Sequence, residues 1–164
     1  MTARNTGSGD ESASNGNERR SGLRPTTGGA RNRILVVDDD PIVLRSVQRA
    51  MRAHFEVVLA EGAEEALEVL REDRDFDVFL LDLSMPGLDG IELYERVREL
   101  DPELLDRVFF CTGGTVTERE KSFLDGRESR VFWKPVDIQI LRTRLDDALA
   151  GACDTEPKRQ RRSS

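Results

Sequence analysis

The run Ile34-Leu35-Val36-Val37-Asp38-Asp39-Asp40-Pro41 decides the fold. Four consecutive aliphatic residues, three of them β-branched, read as a strand buried on both faces rather than one with a wet side. Three acids and a proline then end it. Asp40 is suited to cap a helix and Pro41 to occupy its first turn. Leu44, Val47, Met51 and His54 recur at helical spacing, with His54 covering the helix end. A buried strand therefore feeds directly into a helix.

The same alternation continues outward. Phe55–Ala60 reads as a second strand, and Ala63, Ala66, Leu67 and Leu70 as the apolar face of a second helix. Phe76–Leu81 is a third buried strand that stops at Asp82. Turn formers fill Ser84-Met85-Pro86-Gly87-Leu88-Asp89-Gly90, and Leu93, Val97 and Leu100 mark a third helix. Asp89 is expected to serve the turn before that helix.

Val108–Cys111 is a fourth strand, followed by Thr112-Gly113-Gly114. Thr115 with Glu118, or Thr117 with Glu120, has the spacing of a capping box for a short fourth helix. That helix has only Val116, Phe123 and Leu124 as its apolar face. Val131-Phe132-Trp133 is a short fifth strand before Lys134-Pro135, and Ile138, Leu141, Leu145 and Leu149 complete a fifth helix. Five strands alternating with five helices predict an α/β fold built on a doubly wound parallel sheet.

Charge is unevenly placed along the 164 residues. Residues 1–33 carry a net +3 and residues 151–164 a net +2, which leaves −12 of the total −7 to residues 34–150. An acidic core argues against a nucleic-acid partner, because a binding face needs clustered Lys and Arg. The longest apolar runs are far too short to cross a bilayer, and the N-terminus has no apolar stretch of a secretory signal. Two cysteines do not make a disulfide framework, and Cys111 reads as a small buried hydrophobe. One histidine and two distant cysteines do not make a zinc site. These features predict a cytoplasmic domain at 33–150, between a disordered basic N-terminal segment (1–32) and a disordered basic C-terminal tail (151–164).

In an open parallel sheet, ligands bind beyond the carboxyl ends of the strands. Those ends carry Asp38 and Asp39, Asp82, Thr112 and Lys134. Carboxylates about 4 Å apart repel by about 4 kcal/mol at an effective dielectric near 20, so a cation must offset them. Mg2+ takes one or two carboxylates and completes its shell with water and phosphate oxygen. A lysine and a hydroxyl nearby can hold the remaining phosphoryl oxygens, and a carboxylate can itself be the nucleophile. Phosphoryl transfer is the chemistry these residue types suit.

The four blocks Ile34–Pro41, Leu81–Gly90, Cys111-Thr112-Gly113 and Trp133-Lys134-Pro135 resemble the receiver domain of two-component response regulators, in order and at the usual spacing. The resemblance implies a flavodoxin-like sheet of order 2-1-3-4-5 with five helices. It implies Asp82 as the phosphoacceptor, charged by a histidine kinase or a histidine phosphotransfer protein. Asp39 would be a direct Mg2+ ligand, Asp38 would act mainly through water, and the Ser84 backbone carbonyl would add a ligand. Thr112 and Lys134 would contact the phosphoryl group, and the bond before Pro135 would be cis.

One position departs from the family. Receivers often carry Tyr or Phe three residues before the strand-five lysine, and here that residue is Val131. A β-branched side chain cannot swing as a ring can, so a role as phosphate relay or sink enters beside signalling to an unknown protein partner. Two other functions compete. A haloacid dehalogenase-like phosphatase would use Asp38 as nucleophile and Asp40 as acid, but Pro41 stands in the wrong place and no acidic pair follows the fourth strand. A non-phosphorylated docking module would not need the full set of Asp38, Asp39, Asp82, Thr112 and Lys134. The expectation is thus a non-enzymatic receiver, a monomer or weak homodimer.

Overall fold

The aliphatic runs become strands and the periodic segments helices. The computed structural model describes residues 31–151; the rest of both basic segments lies outside the described residues. In chain order the elements are β1 (Asn32–Asp38), α1 (Pro41–Met51), β2 (Phe55–Glu61), α2 (Ala63–Glu72), β3 (Val78–Asp82), α3 (Gly90–Leu100), β4 (Val108–Thr112), α4 (Glu118–Leu124), β5 (Val131–Trp133) and α5 (Ile138–Leu149). Two short 3-10 segments, Pro102–Arg107 and Glu128–Arg130, precede β4 and β5.

All five strands are parallel, in the order β2-β1-β3-β4-β5. Strand side chains alternate between faces, and this alternation divides the core in two. Leu35, Val37, Phe79, Leu81, Phe110 and Val131 pack with residues of α2, α3 and α4. Ile34, Val36, Val78, Leu80, Phe109, Cys111 and Phe132 pack with residues of α1 and α5. Val131 and Phe132 therefore lie on opposite faces of the sheet.

Helix caps follow the local chemistry. The Asp40 carboxylate accepts from the Ile42 N–H at 2.7 Å, with Pro41 in the first turn of α1. Asp89 and Glu92 form a reciprocal capping box on α3. At α4 the box is Thr117 with Glu120, which selects between the two spacings open in the sequence. Asp137 caps α5 through the Gln139 and Ile140 N–H groups.

Boundaries differ most at the start of β1, the end of α1 and the start of β3. Asn32, which its composition assigned to the N-terminal segment, is the first residue of β1, paired with Phe55. Helix α1 stops at Met51, because the Arg52 N–H closes the last turn on the Gln48 carbonyl and β2 begins at Phe55. His54 is consequently an exposed turn residue whose Nε2 lies 3.2 Å from Arg142 Nη1. Phe76 precedes β3 instead of opening it. Its neighbour Asp77 is held by β1, with the Asp77 N–H donating to the Arg33 carbonyl and the Asp77 carboxylate accepting from the Arg33 N–H. Ordered ladder pairing starts only at Val78.

Candidate functional site

Strand endings assemble the site. Asp38 ends β1, Asp82 ends β3, and Thr112 ends β4, while Lys134 follows β5 by one residue. The register sets Asp82 beside Cys111 and Thr112 beside Trp133. The Lys134 N–H donates to the Thr112 carbonyl at 2.7 Å, which extends the ladder to the lysine. Its peptide bond to Pro135 is cis.

Asp38 and Asp82 are in phase with the face that packs on α1 and α5, and both carboxylates are buried. The Lys134 ammonium reaches between them, 2.7 Å from Asp38 Oδ2 and 3.0 Å from Asp82 Oδ2. Burial alone would lower the Lys134 pKa, but the two carboxylates outweigh it and hold the group above its ordinary value. Burial pushes the Asp82 carboxyl up, against the pull of the Lys134 ammonium and of the Ser84 N–H, which donates to Asp82 Oδ1 at 3.2 Å. Burial also pushes the Cys111 thiol up to about 12, so this cysteine is a neutral part of the wall.

One carboxylate oxygen from each of Asp38, Asp39 and Asp82 lies within 4.8 Å of the others. Lys134 pairs only with the two buried acids, one positive charge against two carboxylates. Asp39 is exposed and makes no ion pair among those found in the described residues. The donor set suits a hard divalent ion, which takes oxygen ligands, tolerates only a few carboxylates and keeps water on its open side.

Thr112 is completely buried, and among the described residues its hydroxyl has no hydrogen-bond partner. It is in phase with Val108 and Phe110 on the α3/α4 side, whereas Asp82 is in phase with the other face. The structure thus brings Asp38, Asp39, Asp82 and Lys134 together and leaves the Thr112 hydroxyl unengaged beside them. A buried unpaired hydroxyl costs about 1–3 kcal/mol, and a phosphoryl oxygen at this edge would relieve that cost. Val131 is buried on the same side as Thr112, and Trp133 is 60% exposed.

Behind the carboxylates a cavity of about 300 Å³ opens between α1 and α5, walled by Ile42, Val47, Cys111, Val136 and Leu141. Two features of the site escaped the sequence reading. Glu120 is buried, and its carboxylate accepts from the Ser84 hydroxyl at 3.0 Å. Asp89 is paired with Arg119, which joins the α3 cap to α4. The Thr117-x-x-Glu120 spacing signalled the helix cap; nothing local signalled that the second carboxylate oxygen reaches across to another loop.

A doubly wound parallel sheet here carries a buried carboxylate at the end of its central strand, a lysine bridging two acids and a third acid beside them, a donor set suited to phosphoryl chemistry. The sequence pattern of the response regulator receiver domain matches residues 34–146, and the chain belongs to that family. Over 121 residues it is 31% identical to the response regulator receiver protein CpdR of Brucella abortus, covering 73% of this chain and 98% of that protein. Over 117 residues it is 30% identical to a cyclic di-GMP phosphodiesterase of Thermotoga maritima, covering 71% of this chain but only 30% of that protein. Among solved structures, a response regulator receiver domain protein from Clostridium thermocellum superimposes with a TM-score of 0.62 at 25% identity, covering 73% of this chain and 95% of that one. The Vibrio cholerae chemotaxis protein CheY4 gives 0.58 at 27% identity, covering 73% and 99%. The chain is a receiver domain of the two-component response regulators, a class of signalling modules.

Proposed function

We propose that Asp82 accepts a phosphoryl group from a phosphohistidine on a histidine kinase or a histidine phosphotransfer protein. The observation that carries this reading is the buried Asp82 carboxylate, held 3.0 Å from the Lys134 ammonium at the carboxyl edge of the sheet. An Asp82 oxygen attacks phosphorus, the new O–P bond forms as the histidine N–P bond breaks, and the imidazole leaves with the electron pair. Lys134 keeps its charge at neutral pH because two carboxylates hold its proton, so it is available to pair with phosphoryl oxygen. The Thr112 hydroxyl then donates to another of those oxygens and gains the partner it lacks.

Asp38, Asp39, Asp82 and the Ser84 carbonyl would hold Mg2+. Bound there, Mg2+ supplies the positive charge that phosphoryl oxygens need beside three acids. Val131 packs where a swinging ring would be needed to carry the signal towards α5, so output passes through surfaces nearer the phosphosite, or the phosphoryl group moves on to another histidine. The module acts as a phosphoacceptor in the cytoplasm, as a monomer or weak homodimer, and does not turn over a substrate of its own.

Acetyl phosphate with Mg2+ is expected to add one phosphoryl group labile to alkali and hydroxylamine, and Asp82→Asn to abolish it. Labelling that persists in Asp82→Asn and disappears in Asp38→Asn would overturn the assignment in favour of a phosphatase-like nucleophile.

A further inference from the structure

A buried carboxylate outside the acidic trio needs a reason. Glu120 lies in the first turn of α4 and is only 8% exposed. Its Oε2 accepts from the Thr117 N–H at 2.7 Å and the Thr117 hydroxyl at 2.8 Å, which is the helix cap. Its Oε1 is turned away from the cap to the Ser84 hydroxyl, 3.0 Å away and 36 residues earlier in the chain. Capping does not require that second bond.

Ser84 belongs to the loop that follows the phosphoacceptor. Its N–H donates to Asp82 Oδ1, and its hydroxyl donates to Glu120, so one residue touches Asp82 through its backbone and α4 through its side chain. A second tie runs parallel, from Asp89 at the end of the same loop to Arg119 on α4. Helix α4 has seven residues; Leu124 and Phe123, whose ring centre lies 5.2 Å from those of Phe110 and Tyr94, anchor its C-terminal half, while the one buried side chain of its first turn is Glu120. The first turn, without apolar anchors of its own, follows what its polar ties do.

We infer that Glu120 is a positioning residue that couples the state of Asp82 to helix α4 through Ser84, in place of the aromatic side chain that Val131 does not provide. This rests on Asp82 being the phosphoacceptor. When Asp82 carries a phosphoryl group, its Oδ1 is no longer free as before to accept from Ser84, and the loop backbone resets. The Ser84 hydroxyl carries that displacement to Glu120, and thus to the first turn of α4. A charge-assisted bond of this kind is stronger than a neutral one and transmits a small shift without slack.

The test uses the full chain, Mg2+ and beryllofluoride, read by backbone amide chemical shifts. In the parent protein, shifts are expected at Asp82, Thr112 and the 117–121 turn. In Glu120→Gln, which keeps the side-chain volume, and in Glu120→Ala, the shifts at Asp82 and Thr112 should persist. Those across 117–121 should fall at least threefold. Ser84→Ala combined with Glu120→Ala should reduce the α4 response no further than Glu120→Ala alone. An undiminished 117–121 response in both Glu120 variants would overturn the coupling while leaving Asp82 as phosphoacceptor. A parent that shows no shift at Asp82 would overturn the phosphoacceptor reading and the coupling together.

Discussion

Gly90 brings the first turn of α3 so close to Asp82 that a β-carbon there would lie 2.2 Å from the Asp82 carbonyl oxygen. It would also stand 2.7 Å from Leu83 Cα. Both obstacles are backbone, so neither can rotate away. The Gly90 N–H uses the closeness, donating to the Leu83 carbonyl at 3.1 Å. Gly90→Ala should therefore push α3 off the end of β3 and cost about 1–3 kcal/mol, the range for overpacking a tight site. Urea denaturation measures the loss, and the rate of phosphoryl gain at Asp82 should fall with it.

Lys134 offsets the repulsion between two buried acids, and a methionine there would fill the space without the charge. Lys134→Met should destabilise the fold by about 3 kcal/mol in EDTA, as expected when one partner of a buried ion pair is removed. Adding Mg2+ should recover part of the loss. Thermal or urea melts of both proteins, with and without the ion, check this.

Two neighbouring acids should separate cleanly. Asp39→Ala removes the exposed carboxylate of the trio and should abolish the Mg2+ response at millimolar concentration. Asp40→Ala removes the α1 cap and should cost about 1 kcal/mol of stability while leaving that response intact. Trp133 fluorescence is the readout, since this indole is exposed at the end of β5. Equal Mg2+ titrations of the parent and Asp39→Ala would contradict the metal assignment.

At the opposite end of β1, Arg33 makes three contacts: it pairs with Glu56 at 3.1 Å and Asp73 at 2.7 Å, and its guanidinium lies 4.6 Å from the centre of the Phe76 ring. The Asp75 N–H and the Arg33 guanidinium hold the Asp73 carboxyl below its ordinary value. A carboxyl depressed in the folded state contributes stability that is fully present above its unfolded pKa, near 3.9, and is lost as pH falls through the lower folded value. Asp73→Asn should thus cost less than about 1 kcal/mol at pH 7, because the pair is partly exposed. The difference from the parent should shrink below about pH 4. Urea midpoints at pH 7, 5 and 3.5 follow it.

The Val131 substitution has its own consequence. Beryllofluoride should shift amides across Val131–Leu149 less than those beside Asp82 and in the α4 turn. Shifts of equal size over both regions would show that β5 and α5 carry the signal without a ring.

Much of this was legible in the chain because most of its strands are continuous apolar runs closed by polar residues. Ile34–Val37 and Val78–Leu81 cannot be anything but interior, and the acids that end them fall at one edge once the strands are parallel. Lys134 was legible for the same reason. Glu120 was not, because a glutamate three residues after a threonine at a helix start reads as a cap on an exposed turn. Its burial depends on where the Ser84 loop lies in space. The Pro102–Arg107 segment gave no periodic signal, since a six-residue 3-10 segment with Leu104 buried is too short to establish one. The placement of His54 outside α1 depended on where β2 takes over, a tertiary fact that helical spacing does not contain.

The ion pair between Asp38 and Lys134 joins residues 96 positions apart. Its acidic half is made early and its basic half late, with most of the sheet between them. As the chain emerges, β1 and β3 bring two carboxylates side by side with no lysine to oppose them, and closing so long a loop is slow compared with local helix formation. The edge is complete only when β5 adds to β4. Under the proposed function, competence to accept phosphate comes with the last strand: the same lysine that would pair with the phosphoryl group also certifies that the molecule around it is finished.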